Sequence, residues 1–359
     1  MRQEKKKSSR SNHTTHHAAA RMIYLSLVNR TVMKTAFLFF MAVALAVALC
    51  GRPPAAVAQS SPSEVPQSAQ EQGDGSRQVI LEEFTRARPA RILPKSPVSV
   101  STSRRNPIPR VTVKAPRYNR KTPSMLSALN LPASLIAEVG LTLWRLRPAQ
   151  ATDNGARMLV MDNGRTSPWI PERIEADQLL DLGERVRISI ESPKAGFLYV
   201  VDREQYADGT LGEPMLIFPT TRTLGGNNLI KPGVLIDIPG QDDSPPYFTL
   251  TSSNRKYIGE VLSIVVAGQP IEGLTIGRSP LSLPLIELQN WERLWRAQME
   301  RFELDGGAGS LWTAVEKAAA LAPAARTLTQ DEPSPQTIYR VAMRTASGFM
   351  VTVPLQRRR

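Results

Sequence analysis

The clearest pattern in the chain is an alternation of apolar and polar positions in short segments between residues 139 and 267. Segment 185–190 places three β-branched residues on one face, which is the two-residue period of a half-buried strand. Segments 197–201 and 259–267 are nearly continuous apolar runs, as expected of strands buried on both faces. Shorter apolar segments separated by Gly, Pro and Asn turns predict further strands, at residues 141–146, 156–161, 215–218, 234–238 and 247–250.

Helical spacing of apolar residues appears only later, over residues 284–304, and an Ala-rich helix is predicted to follow with Ser310 as its N-cap. Segments 337–344 and 349–353 are predicted to form a closing hairpin that joins the same sheet. Because no helix separates the earlier strands, the pattern predicts a mainly β fold. We expect an antiparallel β-sandwich of Ig-like or Greek-key type with a C-terminal helical pair, in an insertion at 284–321, and a closing hairpin.

The N-terminal region, residues 1–58, is predicted to be an extension followed by a signal peptide, with Met33 as the true start. Residues 36–50 form a 15-residue apolar run, short of the roughly 20 residues that span a bilayer. Ala56-Val57-Ala58 fits the small-residue rule for cleavage after Ala58. We therefore expect an exported protein, periplasmic or secreted. Two alternatives are an uncleaved anchor formed by residues 36–50 and lipid attachment at Cys50.

A Pro- and Arg-rich linker is predicted over residues 59–123, before a β domain that covers residues 124–359. The net charge of +13 is concentrated toward the N-terminus. Residues 77–123 hold 12 Lys+Arg and 2 Asp+Glu, whereas residues 124–359 hold 24 and 26. Because the predicted domain is close to neutral, no specific nucleic-acid partner is expected. The basic linker could contact a membrane surface or an anionic polymer, although charged runs are more often solvated spacers.

Histidine and cysteine are confined to the N-terminal region: the three His are His13, His16 and His17, and the only Cys is Cys50. If this region is removed as a signal, the mature chain has neither residue type. That excludes catalysis by Ser-His-Asp or Cys-His groups, Cys/His zinc sites and disulfides. No metal site and no cofactor are expected.

Two stretches carry a resemblance to a known family. They are Arg185-Val-Arg-Ile-Ser-Ile-Glu-Ser-Pro-Lys-Ala-Gly-Phe-Leu-Tyr-Val-Val-Asp202 and Met215-Leu-Ile-Phe-Pro219, followed by Asn227-Asn228, Pro232-Gly233 and Ile238-Pro239. Over about residues 183–267 the chain resembles the bacterial domain-of-unknown-function family DUF4384, with Phe197 where Tyr is usual. The resemblance implies a small β-rich module and carries over no catalytic residue.

Polar residues in two predicted loops are the candidate ligand-binding residues. Around loop 203–214 these are Asp202, Glu204, Tyr206 and Asp208, and in loop 219–232 they are Asn227 and Asn228. Loops held on a rigid scaffold often carry function. The Asp-x-Asp-x-Asp-Gly spacing of a calcium loop is absent from this set.

Enzyme chemistry without His or Cys would need carboxylates, or a serine with a lysine. The adjacent pair Asp242-Asp243 is predicted to lie in an exposed turn with its side chains pointing apart, and Ser253-x-x-Lys256 to be a hairpin tip.

We expect an exported, non-enzymatic interaction module that binds a protein or an envelope polymer. One alternative is a carboxylate-dependent hydrolase of an extracytoplasmic glycan, with Asp202, Asp208, Asp242 or Asp243 of raised pKa in a cleft. The other alternative is an envelope tether that acts through the basic linker. The sequence leaves the oligomeric state open.

Overall fold

The computed structural model describes residues 84–91, 116–123, 126–129, 131–162, 164–320 and 326–358. All of them belong to the second of two units into which the chain divides, Ser68–Arg359. The predicted signal region at 1–58, including the apolar run 36–50 and Cys50, lies outside the described residues. Among the residues that are described, none forms a helix long and apolar enough to cross a membrane.

The described part of the chain contains fifteen strands, two α-helices with described bounds and four further helical residues at 84–87. The strands are β1 (Tyr118–Arg120), β2 (Ile136–Pro148), β3 (Met158–Asp162), β4 (Arg165–Ile174), β5 (Arg185–Glu191), β6 (Gly196–Tyr206), β7 (Met215–Phe218), β8 (Leu229–Ile230), β9 (Ile236–Ile238), β10 (Phe248–Thr249), β11 (Tyr257–Ala267), β12 (Leu281–Ser282), β13 (Gln298–Leu304), β14 (Thr337–Ala342) and β15 (Gly348–Gln356). The helices are α1 (Leu285–Trp295) and α2 (Ala314–Ala320), and short 3-10 turns occur at Leu126–Leu129, Ala133–Leu135 and Leu224–Gly226.

These strands form two antiparallel sheets. Sheet I has the order β1-β13-β14-β2-β4-β3, and β2 also pairs with β5, which in turn pairs with β9 and β10. Sheet II has the order β12-β7-β6-β11-β15, with β8 also on β6. The long strand β2 organises sheet I, because β14 and β4 share one of its edges in succession while β5 runs along the other.

The core lies between the two sheets, as the predicted β-sandwich requires. Alternate residues of β2, β5 and β14 in sheet I meet alternate residues of β6, β11 and β15 in sheet II, forming one buried apolar cluster. Residues of opposite parity on β6 and β11 face outward under α1, where Tyr199 packs on Trp291 with ring centroids 5.9 Å apart. The outer face of sheet I is covered in part by α2 and by Trp312, whose ring centroid is 6.3 Å from that of Trp144.

The predicted helix over 284–304 is wrong in its second half. Helix α1 ends at Trp295, and Arg296 is already extended. Residues 298–304 form β13, which pairs with β14 on one edge and β1 on the other. The apolar spacing of this segment fitted a helix, but pairing with two strands satisfies its backbone hydrogen bonds and decides its conformation.

The N-cap of the second helix was also predicted at the wrong residue. Helix α2 begins at Ala314, and Thr313 and Glu316 form a capping box before it. The Glu316 amide donates to the Thr313 hydroxyl at 3.1 Å, and the Thr313 amide donates to the Glu316 carboxylate at 3.0 Å. This reciprocal pair occupies donors that begin a helix, so Ser310 lies ahead of the helix start.

The predicted closing hairpin is wrong, because the last two strands lie in different sheets. Strand β14 pairs with β13 and β2 in sheet I, whereas β15 pairs with β11 in sheet II. The chain therefore crosses from one sheet to the other between Ala342 and Gly348. Their apolar faces both point into the core between the sheets, so burial is satisfied without pairing the two strands to each other.

Residues 84–91, hereafter the strap, belong to the predicted linker but pack on sheet I. Residues 84–87 are helical, and Phe84 and Arg88 are 2% and 3% exposed. The Arg88 guanidinium donates two hydrogen bonds of 2.7 Å to the Glu191 carboxylate. It also donates to the backbone carbonyls of Thr329, Glu332 and Pro333.

A second part of the predicted linker, residues 116–123, also lies on the domain. Strand β1 pairs with β13, and the hydroxyl of buried Tyr118 donates to the Pro335 carbonyl at 2.6 Å. The folded part of the chain therefore includes segments on the N-terminal side of residue 124. These segments pack on the domain because the Tyr118 ring and the Arg88 guanidinium have buried partners. The surrounding sequence is nevertheless rich in Pro and Arg.

Candidate functional site

Three predicted site residues lie on one face of β6. Leu198 and Val200 on this strand point into the core between the sheets. Because side chains on a strand alternate between faces, Asp202, Glu204 and Tyr206 continue the same row toward the end of the strand. All three are half-buried. The inward face of β6 thus changes from apolar to acidic within a few residues.

The neighbouring strand β11 adds a third carboxyl group to this row. Its Leu262 is a core residue and pairs with Asp202, while Glu260 pairs directly with Glu204. We call Asp202, Glu204 and Glu260 the carboxyl cluster. Like charges placed directly opposite each other on neighbouring strands repel, so the cluster requires a compensating group or proton uptake.

Tyrosine hydroxyls provide part of the hydrogen bonding in the carboxyl cluster. Tyr206 donates to Glu204 at 2.5 Å, and Tyr257 donates to Glu260 at 2.8 Å. One oxygen of Asp202 (Oδ1) and one of Glu260 (Oε2) expose less than 1 Å² each and have no hydrogen-bond partner among the described residues. Buried polar atoms normally have a partner, so these two acceptors are the unusual feature of the cluster.

Burial and mutual repulsion raise the pKa of two members of the cluster. Burial raises the pKa of Asp202 to about 7, and the charge of Glu204 adds to the shift. The pKa of Glu260 rises to about 8, first through burial and then through the charges of Asp202 and Glu204. The two carboxyl groups interact, so they titrate as a pair. Arg203, on the opposite face of β6, donates its Nε to the Gly212 carbonyl at 2.9 Å.

Asp208 lies apart from the carboxyl cluster, at the tip of the loop. It accepts hydrogen bonds from the Thr210 amide and hydroxyl and from Lys256 at 3.0 Å. These donors lower its pKa to about 2, opposite to the raised value that the hydrolase alternative requires. Asp208 is therefore a turn residue that joins its loop to the loop before β11 through Lys256, and its charge is already partnered.

The two predicted asparagines are at the other end of β6. Asn228 donates its side-chain amide to the Leu198 carbonyl at 3.0 Å, and Asn227 accepts from the Leu229 amide at 3.1 Å. Six residues of strand between Leu198 and Glu204 span about 20 Å. The structure therefore does not bring Asn227 and Asn228 to the cluster, and both side chains support the turn before β8.

The remaining catalytic candidates also lie outside the cluster. Asp242 is exposed but Asp243 is buried. The two side chains therefore point apart as predicted, whereas the exposure predicted for the pair is wrong for Asp243. Asp243 accepts from the Gly240 amide at 2.7 Å and the Thr223 hydroxyl at 2.6 Å, which makes it the organising residue of a turn. Ser253 and Lys256 are exposed, but the predicted hairpin tip is wrong. Strand β10 pairs with β5 in sheet I, whereas β11 pairs with β6 and β15 in sheet II, so the two residues lie in a connection between the sheets.

Sequence reasoning missed Glu260 and Tyr257. Glu260 lies at an inward position of a strand whose next inward residues, Leu262 and Ile264, are apolar. A glutamate in the inward row of a strand is a sign in the sequence of a functional or paired carboxylate, because charged residues are almost never buried without a partner. Its pairing with Glu204 depends on strand register, which one sequence does not specify.

Searches for a metal centre and for similar proteins add no assignment. Among the described residues, no group of three or more His, Cys, Asp or Glu side chains is arranged to hold a metal ion. Comparison with protein-family models, curated proteins and solved structures found no match to this chain. The similarity to DUF4384 therefore stays a resemblance, neither supported nor contradicted.

Proposed function

We propose that this chain is an exported, non-enzymatic interaction module whose carboxyl cluster receives a cationic side chain of a protein partner. The observation that carries the proposal is the pair of enclosed carboxyl oxygens, Asp202 Oδ1 and Glu260 Oε2, that have no donor within the described residues. Export is supported by the apolar run 36–50 and the small residues before Gln59.

A lysine or arginine side chain matches the chemistry of the cluster. Both carry several donors and a full positive charge, whereas the enclosed oxygens only accept hydrogen bonds when ionised. The pKa values of about 7 for Asp202 and about 8 for Glu260 arise from burial and repulsion between carboxyl groups. A cation placed between them would offset that repulsion and favour the ionised forms.

Proton release follows from this mode of binding. A partner that requires the ionised cluster must displace protons from Asp202 and Glu260 when the pH is below about 7 to 8. The apparent affinity should then weaken by up to about tenfold per pH unit and per displaced proton as the pH falls below those values. Binding through Asp208 would show no such dependence between pH 6 and 8, since its pKa is about 2.

A peptide titration tests the proposal. The probes are a lysine-containing peptide, its arginine analogue and the acetyl-lysine form of the first, titrated by calorimetry from pH 6 to 9. We expect the cationic peptides to bind more tightly as pH rises and the acetylated peptide not to bind. Glu260→Gln should weaken binding at pH 8.5, while Asp208→Asn, the matched change of an exposed carboxylate, should not. Equal binding of the acetylated peptide would refute the proposal.

The hydrolase alternative keeps one supporting observation. A carboxyl group with a pKa of about 7, such as that of Asp202, is protonated often enough near neutral pH to act as a general acid. Incubation with envelope glycans and measurement of released reducing ends tests this role. Activity that Asp202→Asn abolishes would support a hydrolase, and absence of released ends with every glycan tested would reject it.

Ion pairs made by the strap and by Lys121, the residue after β1, weaken the alternative that the basic linker acts as an envelope tether. Arg88 pairs with Glu191, Arg91 with Asp331 and Lys121 with Glu175. These three charges of the basic segment 77–123 are neutralised by the domain itself. Fewer cations are then available to an anionic polymer than the composition of the segment indicates.

A further inference from the structure

A pocket separate from the carboxyl cluster lies where three loops meet. It has a volume of about 180 Å³ and is lined by residues that follow β7, β9 and β11 in the chain. The loop after β7 is tied to the loop after β11 by the Thr221 amide, which donates to the Gly277 carbonyl at 2.8 Å. The apolar part of the lining comes from Tyr247, Phe248 and two prolines, Pro239 and Pro245.

The charged lining of this pocket is predominantly basic. It contains Arg222, Arg278 and one carboxylate, Asp243. Asp243 is occupied by the Gly240 amide and the Thr223 hydroxyl, and its second oxygen lies 3.5 Å from Arg222 Nε. The acidic group therefore orients Arg222 within the pocket wall.

Arg278 differs from Arg222 in having no protein partner. Its side chain is exposed, lines the pocket, and makes no hydrogen bond or ion pair with any residue of the described part of the chain. The nearby Thr220 hydroxyl accepts from the Thr223 amide at 3.4 Å and donates to no described acceptor. The Arg278 guanidinium and the Thr220 hydroxyl therefore line the same pocket, and neither donates a hydrogen bond to a described residue.

We propose that the pocket binds a small ligand with one oxyanion group, a carboxylate or a phosphate, attached to a planar apolar body. The free guanidinium of Arg278 is a fork of donors that suits two oxygens of such a group, and Thr220 supplies a further donor. The body packs against the apolar lining, to which Tyr247, Phe248, Pro239 and Pro245 contribute. Pockets for drug-sized molecules occupy about 300–1,000 Å³, so a 180 Å³ pocket takes a smaller compound.

This site is independent of the proposed function, because it shares no residue with the carboxyl cluster and has the opposite charge preference. It also uses the loop after β7, which the sequence singled out as a binding loop without identifying Arg222 or Arg278. Only the fold brings together the cavity, the unpartnered guanidinium of Arg278 and the aromatic lining.

Two aromatic anions and a neutral analogue test the pocket. Benzoate and phenyl phosphate are titrated against the full chain in phosphate-free buffer, with saturation-transfer NMR and calorimetry as readouts, and benzyl alcohol is the neutral control. The variant is Arg278→Gln. The matched control is Arg255→Gln, which removes an exposed arginine of the loop between β10 and β11. Thermal melts of both variants check that the fold is retained.

We expect at least one anion to bind the wild-type chain and Arg255→Gln alike, and to bind Arg278→Gln at least tenfold more weakly. A preference for benzoate would identify the ligand as a carboxylate, and a preference for phenyl phosphate would identify a phosphate. Binding of neither anion, equal competition by benzyl alcohol, or an unchanged affinity in Arg278→Gln would overturn the proposal.

Discussion

The contact of the strap with sheet I gives a sharp stability prediction for Arg88→Ala. Arg88 and Glu191 are 3% and 2% exposed, and the guanidinium makes two hydrogen bonds of 2.7 Å to the carboxylate. Removing one partner of a buried ion pair leaves an uncompensated charge and typically destabilises a protein by about 3–5 kcal/mol. If the strap detaches instead, Glu191 becomes hydrated, but the burial of Phe84, about 1.5–3 kcal/mol, is lost.

The first route predicts a loss of about 3–5 kcal/mol and the second a loss of at least about 1.5–3 kcal/mol. Urea unfolding followed by tryptophan fluorescence can measure either loss. The matched control is Arg91→Ala, because Arg91 pairs with Asp331 on the surface, where the two side chains are 66% and 49% exposed. Exposed pairs contribute about 0–1 kcal/mol. The double variant of Arg88 and Glu191 to Ala should be less destabilised than the sum of the single variants. An Arg88→Ala effect within about 1 kcal/mol of Arg91→Ala would refute the buried anchor.

Three further predictions follow from the fold and the cluster. Burial raises the pKa of Glu260 to about 8, so the folded chain binds more protons than the unfolded chain above about pH 4. The free energy of unfolding should therefore fall as the pH rises toward 8. Glu260→Gln should flatten that fall in urea titrations from pH 5 to 9. Thr313→Ala should lower the unfolding free energy by about 1 kcal/mol through loss of the capping box, and Ser310→Ala should leave it nearly unchanged. Gly140→Ala would place a methyl group against Phe84 and should destabilise the chain by about 1–3 kcal/mol, measured by thermal melts.

Apolar alternation was enough to predict the sandwich and most of its central strands. The segments 185–190 and 259–267 match β5 and β11 closely, because the inward residues of β5 and those of β11 after Glu260 are apolar. Strand β4 was missed because Pro168 and Pro171 interrupt its pattern. Both prolines are accommodated in antiparallel pairing, Pro168 opposite β3 and Pro171 opposite β2.

Strand β13 was missed for a different reason. Its buried positions include Glu300 and Glu303, which a search for apolar periodicity assigns to a surface. Glu303 accepts from the Thr337 hydroxyl and the Ala176 amide, and burial raises its pKa to about 7. These partners come from distant parts of the chain, so the local sequence contains no signal for them.

The candidate site could be predicted only in part. Asp202, Glu204 and Tyr206 were identified because they adjoin a polar loop, and the two-residue period of a strand then places them on one face. The role of Glu260 could not be predicted because it depends on the register of β11 against β6. The role of Arg278 could not be predicted because it depends on loops that meet only in the folded chain. Asp208, predicted as a ligand-binding residue of the same loop, lies outside the cluster because a local Asx-type turn binds its carboxylate.

The buried anchor at Arg88 also determines how mechanical load would enter this domain. The chain is fixed to sheet I at the strap and again at β1, so the 24 residues 92–115 lie between two attachment points. A pull on the chain before residue 84 would be resisted first by Arg88 and Glu191, and would pass into β5, which pairs with β2, β9 and β10. The predicted linker would then carry load only as far as residue 84 rather than residue 123, and the load would not reach residues 92–115 while the anchor holds.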